Sequence, residues 1–171
     1  MKKYSLLLTA FIALIFAACK SDKKSAVEFN NSLSAISDNL YSKGVALGQK
    51  IKAGNISGDY SALANAGKEM ADYVTGKIAE VKAMKDVAGS EKFKAAMLDF
   101  LEYEKNICTE AISPFTALNA SSTPEQKQAA MDNLISKSKE EELVMTKVRD
   151  EQSKYAEKNG FKIENKRKAA Y

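Results

Sequence analysis

Asn119 to Leu134 reads "NASSTPEQKQAAMDNL", and it divides the second half of the chain in two. Its first residues are small and polar, with nothing large enough to hold a core position, so they read as a loop. Thr123, Pro124, Glu125 and Gln126 then form a capping box. The threonine hydroxyl can accept from the backbone N–H of the third helical residue, the glutamine there can accept in return from the threonine N–H, and proline sits at the first helical position, where its missing N–H is no loss. A helix begins here, separate from whatever precedes Asn119. It runs through Ala130, Met131, Leu134, Met145 and Val148 to Tyr155 and Ala156. Asn159-Gly160 supplies a left-handed stop, and Phe161 can fold back on the last turn.

Upstream of the loop, three more apolar stripes recur at spacings of three and four, the signature of one buried helical face. Phe29, Leu33, Ile36, Leu40, Gly44, Leu47 and Ile51 form the first, which should end in "KAGNISGD" at Gly54, Asn55 and Gly58. Tyr60, Leu63, Gly67, Met70, Val74, Ile78 and Val81 form the second, fading at "DVAGSE". Ser90 is placed to cap the third, with Glu91 favouring its positive N-terminal end. That stripe contains Phe93, Met97, Phe100, Leu101, Ile107, Cys108 and Ala111. Phe115 and Leu118 keep its angular phase beyond Pro114, so a kinked continuation is expected rather than a new helix. Short loops between long helices favour antiparallel neighbours. The expected fold is therefore all-α, an antiparallel up-down-up-down four-helix bundle over residues 26–163. No strand pattern or internal repeat competes with it.

The N-terminus has the zones of a secretory leader: Lys2 and Lys3, an apolar run from Leu6 to Phe16, then Ala17 and Ala18. The run is roughly a dozen residues, against about 20 needed for a membrane-spanning helix. Phe16-Ala17-Ala18-Cys19 resembles a bacterial lipobox, although Phe16 stands where that motif usually has an aliphatic residue. The resemblance implies cleavage after residue 18, acylation of Cys19 and a membrane anchor. Lys20 occupies the position where an aspartate commonly signals inner-membrane retention, so by the same resemblance the expected location is the outer membrane, on either its periplasmic or its outer face. Residues 19–25 would be the acylated cysteine and a solvated, charged tether, and residues 164–171 a basic tail carrying Lys166, Arg167 and Lys168.

"AVEFNNSLSAI" and "EQSKYAEKNGFKI" resemble a group of uncharacterised bacterial surface lipoproteins, of Bacteroidota or spirochaete type, with helical bodies. The resemblance implies a helical envelope protein. It brings no activity, cofactor or site residues with it.

Lys and Arg outnumber Asp and Glu by only 26 to 22, and two of those lysines belong to the leader. That balance points away from nucleic acid. The chain has no histidine, which rules out Ser-His-Asp and Cys-His sites and the Glu-x-x-His pairs of di-iron bundles. No glycine-rich phosphate loop or haem attachment pattern is present. With Cys19 acylated, Cys108 has no intramolecular partner, and its place on an apolar face reads as packing rather than chemistry. No catalytic residue, cofactor or metal-ligand set is indicated, and the protein is not expected to be an enzyme. The expected role is non-enzymatic binding of an envelope protein or glycan, or a structural role. The alternative is a small-ligand or hard-cation site in the bundle core, where bundles build such sites.

Four polar residues fall where the core should be. Glu104 lies between Phe100 and Ile107 on the third helix, and Ser138, Glu141 and Gln152 interrupt the stripe of the fourth. Folding these helices antiparallel about Ser121 brings Glu104 level with Ser138 and within about one turn, roughly 5.4 Å, of Glu141. A buried carboxylate must find donors, become protonated or bind a cation. One account has Ser138 or a tyrosine donating to Glu104 while Glu141 reaches solvent beside Lys137 or Lys139; the other is an oxygen-rich site for Ca²⁺ or Mn²⁺. The anchor has its own test: Cys19→Ser should abolish labelling by a fatty-acid probe and move the protein out of the detergent fraction, and unchanged labelling would end the lipoprotein reading.

Overall fold

The computed structural model describes the backbone from residue 2 to residue 163 and the side chains from residue 22 to residue 163. Within those bounds the chain is an all-α four-helix bundle without strands. Helix α1 (Lys2–Ser57) buries Phe29, Leu33, Ile36, Leu40, Leu47 and Ile51. It stops where Gly58, at φ +75°, donates its N–H to the Gly54 carbonyl at 2.8 Å. Helix α2 (Ser61–Ala83) buries every member of its stripe, and α3 (Glu91–Ile107) does the same with Phe93, Met97, Phe100, Leu101 and Ile107. After one irregular turn and the short α4 (Ser113–Thr116), the chain loops into α5 (Pro124–Lys158). Among the described residues no helix is long and apolar enough to cross a membrane.

Side-chain pairs fix the topology. Lys43 lies over Tyr73 between α1 and α2, Lys82 meets Glu102 between α2 and α3, and Lys147–Asp99 and Tyr103–Lys137 join α3 to α5. From Asp99–Lys147 to Tyr103–Lys137 the contacts ascend α3 while descending α5, and from Gly67–Ile112 to Lys82–Glu102 they ascend α2 while descending α3 and its continuation, so these neighbours are antiparallel. Phe29 of α1 meets Tyr155 of α5 at 5.9 Å between ring centroids and closes the bundle.

The irregular turn explains how α3 carries its register past Pro114. Cys108–Ile112 is a π-helical turn, in which the Ser113 N–H donates to the Cys108 carbonyl five residues back. Proline has no N–H for the Glu110 carbonyl and its ring crowds that oxygen; one wider turn relieves the clash. The orphaned Glu110 carbonyl accepts instead from Asn133 Nδ2 of α5 at 2.7 Å. Phe115 therefore stays in the core, fully buried against Tyr60 at 6.2 Å.

Three local expectations need correction. The segment read as a solvated tether is helical, continuous with α1; Asp22, Lys23 and Lys24 are exposed, as a tether's would be, and Ala26 is the first fully buried side chain. The side chain of Cys19 and the tail with Lys166, Arg167 and Lys168 lie outside the described residues. Ser90 does not cap α3 with its side chain. Its backbone is helical (φ −79°, ψ −2°) rather than extended, so its hydroxyl turns back across the loop and accepts from the Val87 N–H at 2.9 Å. Met131 and Met145 are only half-buried; Met145, with Leu134, faces an opening beside α5 rather than a packed neighbour.

Both ends of α5 follow the sequence. Thr123 is extended (φ −69°, ψ 158°), its hydroxyl accepts from the Gln126 N–H at 3.3 Å, and Gln126 Oε1 accepts from the Thr123 N–H at 2.9 Å. At the other end Gly160 has φ +64°, with Phe161 N–H donating to the Ala156 carbonyl and Gly160 N–H to that of Glu157, each at 3.1 Å. This is a Schellman stop. No atom lies within 4 Å of where a Gly160 Cβ would sit, so a substitution there reports backbone strain alone. Gly160→Val should destabilise by about 1 kcal/mol or more, read as a lowered denaturation midpoint; a parental midpoint would contradict the motif.

Candidate functional site

Helices α1 and α5 meet closely at one end only of their shared length. There Phe29, Phe93 and Tyr155 pack with centroid separations of 5.7–6.3 Å, and Gln152 Nε2 donates to Asn30 Oδ1 at 2.8 Å and to Ser34 Oγ at 3.0 Å. Beyond Ser34 the two helices part. A cleft of about 530 Å³ opens between them, with α3 behind it. That volume lies within the range of ordinary small-molecule sites, roughly 300–1,000 Å³.

Two glycines contribute to this opening. Gly44 and Gly48 are one turn apart on α1, both line the cleft, and neither has an atom within 4 Å of where its Cβ would be. A row of large side chains in those positions would fill the space. The rest of the lining is mostly apolar: Leu40 and Ile51 from α1, Met70 from α2, Phe100 and Ile107 from α3, and Leu134 and Met145 from α5. Tyr41 and Val45 stand half-exposed on its α1 side, at 49% and 45%.

Glu104, Ser138 and Glu141 all line this cleft, as the antiparallel pairing of α3 and α5 expects. Glu104 is 4% exposed, Glu141 is half-buried and Ser138 is exposed. Gln152 is not among them; it belongs to the polar contact with Asn30 and Ser34 farther along α5. Among the described residues neither a tyrosine nor Ser138 donates to Glu104. The two carboxyl groups interact with each other, Glu104 hydrogen-bonding to Glu141. Burial first, and then the negative charge and hydrogen bond of Glu141, push the Glu104 carboxyl up to about 9. At neutral pH Glu104 is therefore held as the carboxylic acid.

Of the two lysines expected beside Glu141, Lys139 is exposed and Lys137 is engaged elsewhere. Lys137 pairs with Glu110 at 2.8 Å, and its backbone carbonyl accepts from the Tyr103 hydroxyl at 3.0 Å. Tyr103 also donates to Glu140 at 2.9 Å; burial and that bond raise its phenol to about 12. Cys108 is buried and pushed up to about 11, chiefly by burial and next by Glu104, so its thiol is protonated and inert. Two carboxyls and a hydroxyl supply too few oxygens for a six-coordinate hard cation without several waters. Among the described residues there is no group of three or more His, Cys, Asp or Glu side chains placed to hold a metal ion. The arrangement can, however, receive hydrogen-bond donors and shelter apolar surface.

Sequence reasoning reached the carboxyl pair but not the space beside it. The signal was present in "GVALG", residues 44–48, where two glycines one turn apart interrupt an otherwise ordinary helical face. Comparison with family models, curated proteins and solved structures yields no match.

The Glu104 proton makes stability depend on pH in a definite direction. The folded-state pKa lies above the ordinary 4.5, so between those values the native state holds a proton that the unfolded state has released. Stability should fall as pH rises from about 5 towards about 9. Glu104→Gln keeps the shape and a donor without the titration, so its melting temperature should vary less with pH and match or exceed the parent's at pH 8. Glu104→Leu should be the less stable variant, because it leaves Glu141 without that donor. Equal pH slopes for Glu104→Gln and the parent would show that Glu104 is not the group responsible.

Proposed function

We propose that the protein is a lipid-anchored, non-enzymatic binding protein of the bacterial envelope that takes a small amphipathic molecule between α1 and α5. The cleft of about 530 Å³ is the observation that carries this reading. It has the form expected of a ligand site: concave, largely apolar, with a few polar groups converging on one part of the wall. The expectation of a core site, held as the alternative on sequence grounds, thus becomes the leading one. Binding without catalysis is the natural role, because the chain has no histidine and its buried thiol is held protonated.

The leader, the lipobox-like "FAAC" and the lysine after it support an outer-membrane anchor at Cys19. Because α1 is continuous from Lys2 to Ser57, residues 19–26 make a short helical stem of about 10 Å at the usual rise. The body would sit close against the headgroups, and Gly44 about 38 Å along the helix from the acylated residue.

A neutral apolar fluorophore such as N-phenyl-1-naphthylamine tests the site directly. The parent should show saturable fluorescence enhancement at one site per chain. Gly44→Leu and Gly48→Leu should abolish it while melting no lower than the parent, because each replaces a mid-helix glycine at a position with open space and gains up to about 1 kcal/mol of helix propensity. Undiminished binding in both variants would place the ligand elsewhere, and no binding by the parent would overturn the reading.

A further inference from the structure

The cleft presents its polar groups unevenly. On one side α1 offers only Leu40, Tyr41, Val45, the two glycines and similar uncharged residues; on the other, Glu104 of α3 and Glu141 of α5 come together. Among the described residues neither carboxyl forms a salt bridge, although most of the acids that do are on the surface. Glu104, 4% exposed, lines the cavity with another acid as its partner. Gly44 and Gly48 leave the facing wall open, and by the antiparallel register of α1 and α5 they lie near the level of the pair. The site combines excess negative potential, apolar walls and room.

We infer that the cleft selects small amphipathic cations, seating a primary ammonium between Glu104 and Glu141 with its apolar chain along Leu40 and Phe100. This rests on the reading of the cleft as a ligand site and names the ligand's chemical class. An ammonium has three N–H donors; the two carboxyls and the Ser138 hydroxyl provide three acceptors. A metal ion of the same charge sign would lack ligands here. A neutral head group would leave the acid pair hydrogen-bonded to itself and gain only from burial of the chain.

Charge balance gives the inference a second consequence. In the empty site Glu104 holds its proton. When the ammonium enters, that proton leaves for solvent, so one positive charge replaces another and the net charge of the site is unchanged. Glu142 and Arg149 of α5 stand on the same cleft, and α1 contributes the Tyr41 phenol. The Cys108 thiol beside α3 stays protonated throughout this range. Arg149 is eight residues from Glu141, about 12 Å of helix rise, and among the described residues it forms no salt bridge with either carboxyl. Affinity for an ammonium should therefore rise about tenfold per pH unit below the pKa of the pair and flatten above about 9.

Titration calorimetry on the full chain with n-hexylammonium, 1-hexanol and hexanoate tests this at about pH 6, 7 and 8, in buffers of different ionisation enthalpy. The expected result is tenfold or greater preference for hexylammonium over the alcohol at the highest pH, close to one proton released per amine bound, and weaker binding of hexanoate than of either. Glu141→Gln, with its fold checked by melting, should lose the preference for the amine and keep hexanol binding. Equal or tighter binding of hexanol or hexanoate would overturn the cationic assignment while leaving the cleft as a ligand site; so would competition by Ca²⁺ or Mn²⁺ at one ion per chain. Binding of none of the three probes would overturn both.

Discussion

Tyr155 is where the bundle is tied together. Its ring packs against Phe29 of α1, Phe93 of α3 and Phe161 of the C-terminal stop, and its hydroxyl donates to the Val87 carbonyl in the α2–α3 loop at 3.0 Å. Asn159, one turn on, donates to the neighbouring Ala88 carbonyl at 3.3 Å. Every long helix or its adjoining loop thus meets at one end of the molecule. With α1 and α5 pinned there and bridged once more through Gln152, their separation farther along is set by the side chains between them. Glycines at 44 and 48 contribute little bulk to that space, and the helices stand apart.

The cleft collects features that each work against stability. A mid-helix glycine is roughly 1 kcal/mol worse than alanine, and α1 places two of them on one stretch. A buried carboxyl is worse than an apolar residue of similar size unless something repays its desolvation, and Glu104 has another acid for company. Elsewhere the local and global signals agree: the π turn is relieved by Asn133, the loop before α3 is satisfied by Ser90 and Tyr155, and α5 is capped at both ends. Such departures from an otherwise consistent sequence concentrate where a protein does something other than fold. That is the physical ground for the proposal that the α1–α5 opening, rather than the well-packed face where α3 meets α2, is the binding site.

The amino-acid sequence by itself determined the helices, their buried faces and their order. Stripes such as Leu63-Gly67-Met70-Val74 encode a face directly, and the boxes at Thr123 and Gly160 are satisfied within a few residues of themselves, so no distant contact can alter them. It also placed Glu104, Ser138 and Glu141 together, because helix rise and antiparallel pairing suffice to count residues to a common level. Tertiary structure alone decided what those residues face. Periodicity says which side of a helix points inward but not how far away the next helix stands; that distance depends on the combined side-chain volume of both faces and on where the bundle is pinned. For this reason the cleft, the carboxyl-to-carboxyl pairing of Glu104 and Glu141, and the separate destination of Gln152 emerge only when α1, α3 and α5 are packed.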